Sequence, residues 1–547
     1  MGKHRTVLIA AAGAAALMLS ACGSSGATQP KPKTNIAADQ TMTAPATKDL
    51  QTLTWYGGYR PVYSLDPVKD ADYPEETILP NVCTSLLQLG SDYSLQPSIA
   101  TAWKQTSPTS VVFTIRQGVK FSDGTPLTTD DVVYSLKRNM DPAQASAFAD
   151  IYSLVKSITA TGADQVTVAF TKPNAIFVSA MATLGGSIVS EAYAKAKGAS
   201  FGTPKGGVLC AGPYQVASYD GTHDLTVTKN PYYWDTAQAP KVTTVRFVFP
   251  TDDNALAHAI DGGSIQGGFG MPPSDIGPLS TSTVGKLYLG GPGSSPQNVD
   301  IIPTDLTKGP LADVRVRQAL SLAVDRAALA KTVWAGAAEP LSTVAGPGLF
   351  GPAKADYQPT YDKLAITTDV AKAKQLVAAA GATGETIRFS YPSDGDYVTA
   401  LATYLQQVGT QIGLNIKLVG LPYDQFGNLF IDAGARAKTD AFMTINYLEF
   451  PEPVAMIHSY ASPDGFQDYE GYNNPQVTAL LDQAGGTTDP AARAVLVNQV
   501  QTILATDLPW IPLVAPSVNV FLATGITGAP LTFSYMSSPW LVQVGGL

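Results

Sequence analysis

The amino-terminal apolar run sets the terms for everything after it. Lys3, His4 and Arg5 make a short basic start, and residues 6–18 form an apolar run of about thirteen residues. A helix that crosses a bilayer needs about 20 such residues, so this one reads as a secretion signal rather than an anchor. No later segment holds ~18 uninterrupted apolar residues. The rest of the 547-residue chain is therefore expected to fold as an extracytoplasmic soluble protein in an oxidising compartment.

The run closes on Leu19-Ser20-Ala21-Cys22. This tetrapeptide resembles the lipobox of bacterial lipoproteins, which implies that residues 1–21 are a signal peptide, that cleavage falls before Cys22, and that Cys22 is acylated on its sulfur and amine. Two or more acyl chains, at about 0.8 kcal/mol per buried CH₂, suffice for stable anchoring. Residues 22–49 are rich in Ser, Thr, Ala, Pro, Gln and Lys, the composition of a flexible tether. The expected location is the outer face of the cytoplasmic membrane, with a soluble protein held there by its lipid. Two further cysteines, Cys83 and Cys210, remain. In an oxidising compartment they fit either one disulfide or two buried free thiols.

The chain is long enough for about three or four domains. Apolar residues at 45% are ordinary for a globular protein, and charged residues at 14% are too few for disorder by charge repulsion. The net charge of −9 is unbroken by any Lys/Arg cluster, which excludes a nucleic-acid partner, since that requires a concentrated basic surface. A monomer is expected.

Short alternating runs mixed with amphipathic helices give an α/β class. Val111, Phe113 and Ile115 alternate as a half-buried strand, and Thr128 with Asp131 has capping-box spacing ahead of a helix. Further strands are predicted at 166–170, 225–228 and 245–249. Asp313 is placed to cap a helix whose apolar stripe runs Val316, Leu320, Val324 and Ala327. A helix over 369–380 ends at Gly381. The stripe Val398, Leu401, Leu405, Val408, Ile412 predicts a helix that feeds a strand at 414–418, and Asp489-Pro490 opens another helix.

The same segments, in order, carry a resemblance. They are Ser64-Leu-Asp-Pro67, Leu95-Gln-Pro-Ser-Ile-Ala-Thr-Ala-Trp103, Phe113 to Leu127 with Asp131-Val-Val-Tyr-Ser135, Gly212-Pro-Tyr214, Asn230-Pro-Tyr-Tyr-Trp234, Asp313 to Ala319 with Ala323-Val-Asp-Arg326, Gly471-Tyr-Asn-Asn474 and Pro509-Trp-Ile-Pro-Leu513. Each is weak alone, but the ordered set resembles the family 5 extracellular solute-binding proteins, the receptor components of peptide, nickel and related ABC importers. The resemblance implies a periplasmic-binding-protein-like (class II) fold, with two lobes, a hinge and an extra domain. Lobe I would comprise 50–69, 191–293 and 508–547, the extra domain 70–190, and lobe II 294–507. It further implies capture of a short peptide by hinge closure and delivery to the permease subunits of an ABC transporter. Oligosaccharide and nickel or metal-chelate uptake are the alternatives within the family.

In the peptide-binding branch an aromatic-acid-proline motif holds the ligand α-ammonium, and the matching stretch is Asn446-Tyr447-Leu448-Glu449-Phe450-Pro451. The implied ligand-binding residues are Glu449, Tyr447 and Asn446. A desolvated ammonium needs a charged partner, which is the reason for an acid. Tyr59 and Arg60 are further candidates, because Gly57 and Gly58 ahead of them would let a ligand backbone approach and add as a strand. Phe148 matches an aromatic cleft position of the extra domain.

Catalytic chemistry finds little support. The chain has no Gly-x-Ser-x-Gly elbow, no phosphate loop and no Cys-x-x-Cys, and His223, His258 and His458 stand far apart. No catalytic residue, no metal and no cofactor are expected. A secreted hydrolase with two carboxylates is the enzyme alternative.

Overall fold

The computed structural model describes residues 35–37, 40–69 and 71–547, of which 35–37 by backbone only. The signal peptide of residues 1–21 and the acylated Cys22 lie outside the described residues.

Period-two burial builds the first sheet. In the strand Leu50–Tyr56, Leu53 and Trp55 are buried while Gln51 and Thr52 are exposed, and Val245 and Phe247 repeat the pattern in Val242–Val248. Eight strands assemble in the order Asn35–Ala37, Gly285–Gly290, Asn519–Ala523, Gly267–Phe269, Leu50–Tyr56, Val242–Val248, Asp224–Lys229, Tyr214–Tyr219. A second sheet of six runs Ala338–Pro340, Ile511–Pro516, Asn298–Pro303, Ala441–Asn446, Thr386–Pro392, Asn415–Leu421. These are the two lobes. A four-stranded antiparallel sheet, Ala100–Ser107, Ser110–Ile115, Gln165–Phe170 and Val155–Gly162, forms the extra domain. It shares one continuous apolar core with the first lobe, from Trp55 and Phe247 to Phe113 and Phe177, whereas the second lobe has its own around Phe389, Phe442 and Trp510.

Local signals set the helices. Thr128 and Asp131 make a reciprocal capping box on Thr129–Arg138. Asp369 caps Val370–Ala379, Asp489 caps Pro490–Asp507, and Gly413 ends Asp396–Ile412 in the left-handed region. Asp313 caps Val314–Ala323, but the predicted stripe does not continue to Ala327. Val324 turns extended, Asp325 accepts the Ala328 N–H at 2.9 Å, and a new helix starts at Arg326, which leaves Ala327 exposed.

Several boundaries differ from those expected. Ile511–Pro516 pairs with Asn298–Pro303 and Ala338–Pro340, so the chain stays in the second lobe to about residue 516 rather than leaving it at 507. The expected 22–49 tether is docked along its carboxyl-terminal part. The Thr43 hydroxyl donates to the Ala529 carbonyl, Lys48 pairs with Gly546, and Asn35–Ala37 adds to Gly285–Gly290. Small polar residues read as a leash in isolation, yet the carboxyl terminus supplies their hydrogen-bond partners. Cys83 and Cys210 form a disulfide, with Cα atoms 4.8 Å apart.

The lobes are joined by residues 291–297 and 517–518, which run side by side. The Gly290 N–H donates to the Val518 carbonyl at 2.7 Å, and the Val518 N–H to the Ser294 hydroxyl at 3.4 Å. Two adjacent short crossings are the geometry of a hinge.

Candidate functional site

Ligand crevices of α/β sheets form beyond the carboxyl ends of parallel strands, and both lobes supply such ends to one cavity of about 840 Å³. In the first lobe Leu50–Tyr56 and Val242–Val248 run parallel and deliver Gly57 to Arg60 and Thr251 to Asn254. In the second, Thr386–Pro392 and Asn415–Leu421 run parallel and deliver Asp394 to Tyr397 and Tyr423. The crossing residues Gln297 and Pro516 to Asn519 form part of the wall.

Tyr59, Arg60 and Tyr447 all line this cavity. The Tyr59 hydroxyl donates to Asp72 Oδ2 at 2.5 Å and lies 3.3 Å from the Tyr423 hydroxyl of the opposite lobe, so the two tyrosines meet across the cavity. Burial, followed by the charge of Asp72, pushes the Tyr59 phenol well up, which keeps it a donor. The Arg60 guanidinium is paired with Asp72 at 2.7 Å and Glu75 at 2.9 Å, and it stacks 3.7 Å over the Tyr63 ring. Its charge is therefore already matched within the first lobe. Tyr447 donates to Glu76 Oε2 at 3.0 Å and packs edge-on against Tyr73 and Phe533.

Three expected ligand residues are not on the cavity wall. Phe148 is 3% exposed and packs under Gly185, where a Cβ would fall 2.9 Å from its ring; it belongs to the core of the extra domain. Asn446 bonds to Gln467 Oε1 at 3.1 Å, away from the cavity. Glu449 lies beside Tyr447 but faces the buried carboxyl of Glu76, and both acids are pushed up, chiefly by burial. The motif places an acid next to an aromatic, but the fold turns that acid toward a partner distant in sequence.

The roles expected of Gly57 and Gly58 also change. Leu50–Tyr56 is an interior strand, paired on both sides, so no ligand strand can add to it. A Cβ on Gly57 would lie 2.6 Å from the Phe249 ring, and Gly58 sits at φ +128° against Pro74. Packing within the protein requires both glycines.

Sequence reasoning missed Asp252, Asp253, Asp394 and Asp396, all of which line the cavity. Each pair directly follows a parallel strand and opens a helix, a signal readable as strand, polar turn, helix start. Asp252 caps its helix by accepting the Ala255 N–H at 2.9 Å, and Asp394 accepts the Tyr423 N–H at 2.9 Å. Among the described residues no group of three His, Cys, Asp or Glu is disposed to hold a metal ion, and none of their helices is long and apolar enough to cross a membrane.

Comparisons with known proteins agree with this geometry. The family model for bacterial extracellular solute-binding proteins, family 5 Middle, matches residues 94–468. The glutathione-binding protein GsiB of Escherichia coli strain K12 is 24% identical over 486 residues, covering 85% of this chain and 89% of that protein. The solved structure of the ABC transporter-associated periplasmic binding protein DppA from Helicobacter pylori, in complex with the peptide STSA, superimposes with a TM-score of 0.77 at 18% identity, covering 91% of this chain and 98% of that one. NikA from Staphylococcus aureus, in complex with Ni(L-His)₂, gives 0.72 at 17% identity, covering 89% and 98%. Both solved structures share the fold of this chain.

Proposed function

The chain belongs to the bacterial extracellular solute-binding proteins, family 5, whose members bind solutes rather than transform them, and on that premise we propose that it is the lipid-anchored receptor of an ABC importer for short peptides. Capture takes place between the lobes, closure occurs about residues 291–297 and 517–518, and release follows docking on the permease subunits. Cys22 would hold the receptor on the outer face of the cytoplasmic membrane, and the receptor would act as a monomer.

The observation that carries the reading is the cavity itself. Its volume of about 840 Å³ falls in the range of small-ligand sites. Its walls combine aromatic rings, among them Tyr56, Trp334, Tyr397 and Phe426, with carboxylates from both lobes. Rings suit side chains of varied shape, and a carboxylate suits an ammonium. DppA, with the same fold, is solved with a peptide, and GsiB is named for glutathione. A metal chelate is the weaker reading, because among the described residues no His or Cys lines the cavity and the chelator would have to bring every imidazole or thiolate donor.

Mass spectrometry of the mature protein under native and denaturing conditions tests this directly. Release of peptides of narrow length range on unfolding is the expected result. Release of a sugar or a nickel chelate in their place would overturn the peptide reading. If the protein is empty, a thermal-shift screen of di- to pentapeptides must raise Tm for at least one peptide.

A further inference from the structure

The extra domain reaches the second lobe at a place the cavity does not touch. Residues 173–179, which follow the strand Gln165–Phe170, lie against the second lobe's segments 450–455 and 485–493. The Ala175 N–H donates to the Gly485 carbonyl at 2.8 Å, and the Ser179 hydroxyl donates to Glu452 Oε1 at 3.1 Å. A Cβ on Gly486 would fall 3.3 Å from Pro173, so the two backbones pass closely. Apolar side chains are exchanged across the same boundary: Ile176 packs on the core of the second lobe, and Phe450 is buried in the core of the first. Asn174 gives the segment its shape, because its Oδ1 accepts the N–H groups of Ile176 and Phe177 at 3.1 Å where the short helix Phe177–Ala180 begins.

The receiving side is held in place within the second lobe. Glu452 is buried, and the oxygen that accepts from Ser179 also accepts from the Arg493 guanidinium, at 3.1 Å. Arg493 donates in turn to the Thr487 carbonyl at 2.9 Å, just past the Gly485 carbonyl that Ala175 engages. One buried ion pair therefore fixes both acceptors that the extra domain uses, and it stays satisfied when that domain withdraws. None of these residues lines the cavity, and none belongs to the crossings at 291–297 and 517–518. The extra domain shares its core with the first lobe and moves with it. A rotation of the second lobe away from the first thus acts on this boundary, where bonds to a buried carboxylate and a buried turn have to be given up.

We infer that residues 173–179 are a clamp, in which Ser179 and Ile176 act as positioning residues that hold the two lobes closed from outside the cleft, whether or not the cleft is filled. The inference rests on the receptor reading but not on the identity of the ligand. A ligand shifts the open–closed balance only by its differential affinity for the two states. The clamp sets the balance from which that shift starts, because its contacts belong to the closed arrangement and involve no ligand atom. The extra domain thereby gains a part in capture although none of the clamp residues reaches the captured molecule.

The test is double electron–electron resonance on the mature protein, freed of any bound molecule by unfolding, dialysis and refolding. Nitroxides are placed on Lys156→Cys in the extra domain and Lys374→Cys in the second lobe, both exposed, in a Cys22→Ser background where Cys83 and Cys210 are bonded to each other. The background protein is expected to show a short-distance, closed population. Ser179→Ala and Ile176→Ala should each lower the ratio of closed to open by at least about fivefold, the scale of one hydrogen bond to a charged group for the first. Ser179→Thr, which keeps the hydroxyl, should restore most of the closed population. Tm measured on the same samples separates this role from simple packing. A lower Tm with unchanged distances would make the segment structural only and overturn the inference. So would the absence of any closed population in the background protein, or the same distribution in Ser179→Thr as in Ser179→Ala. No ligand enters the measurement, so its failure leaves the receptor reading to be judged separately by mass spectrometry.

Discussion

Glu76 is fully buried, Tyr447 donates to one of its carboxyl oxygens, and Glu449 faces it from the second lobe. Burial, followed by the charge of Glu449, raises its pKa well above the usual value of a glutamate. A carboxyl raised in the folded state contributes stability that is complete below its unfolded value and is lost as pH rises through the folded value. The contact between Tyr447, Glu76 and Glu449 should therefore tighten toward mildly acidic pH. Glu76→Gln is expected to raise Tm at pH 7 and to flatten its change between about pH 7 and pH 5 relative to wild type. Equal pH slopes of the two melting curves would refute this. The acid at Glu449 was legible in the motif, but its orientation was not, because the residue it faces lies several hundred positions earlier in the chain.

At the scale of elements, sequence patterns succeed where the cause is local. Capping by Thr128, Asp369 and Asp489 each depends on residues within a turn of the helix start. The stripe from Val316 to Ala327 fails because Asp325 offers a better cap to Ala328 than the helix offers a continuation. The link between Cys83 and Cys210 ties the turn after Leu79–Asn81 to the segment before Tyr214–Tyr219, across a separation of 127 residues. Both cysteines are buried. Replacing the pair with alanines should lower the unfolding free energy by about 2–5 kcal/mol, read from urea midpoints, as for other long-loop disulfides. Labelling in the unfolded, unreduced protein should find neither thiol.

The whole molecule couples its ends. Residues 40–49 lie against the carboxyl-terminal segment through Thr43, Lys48 and the carbonyls of Ala529 and Gly546. A chain beginning at Leu50 should be less stable than one beginning at Gln40 by about 1–3 kcal/mol, the scale of a few lost buried hydrogen bonds. Identical denaturation midpoints would show that the segment adds nothing. The two lobes depend on each other differently. Each has its own core, and they are joined by the pair of crossings and by contacts that include Tyr59 with Tyr423, Tyr447 with Glu76, Ser179 with Glu452, and Phe450, which is seated in the core of the first lobe.

By itself the sequence determined most of the elements, the α/β class and the family, because periodicity, caps and ordered motifs are written over a few neighbouring residues. It also named Tyr59, Arg60 and Tyr447, three residues that line the cavity. Only the tertiary structure decided that Ile511–Pro516 stays in the second lobe, that Phe148 is core, and that Arg60 is already neutralised. It alone put Asp253 and Asp396, from helices more than a hundred residues apart on different lobes, on the wall of one cavity. The physical reason is the same in each case: electrostatic and packing energies depend on distance in space, and in a two-lobed chain that distance is set by the fold of both lobes and the hinge between them.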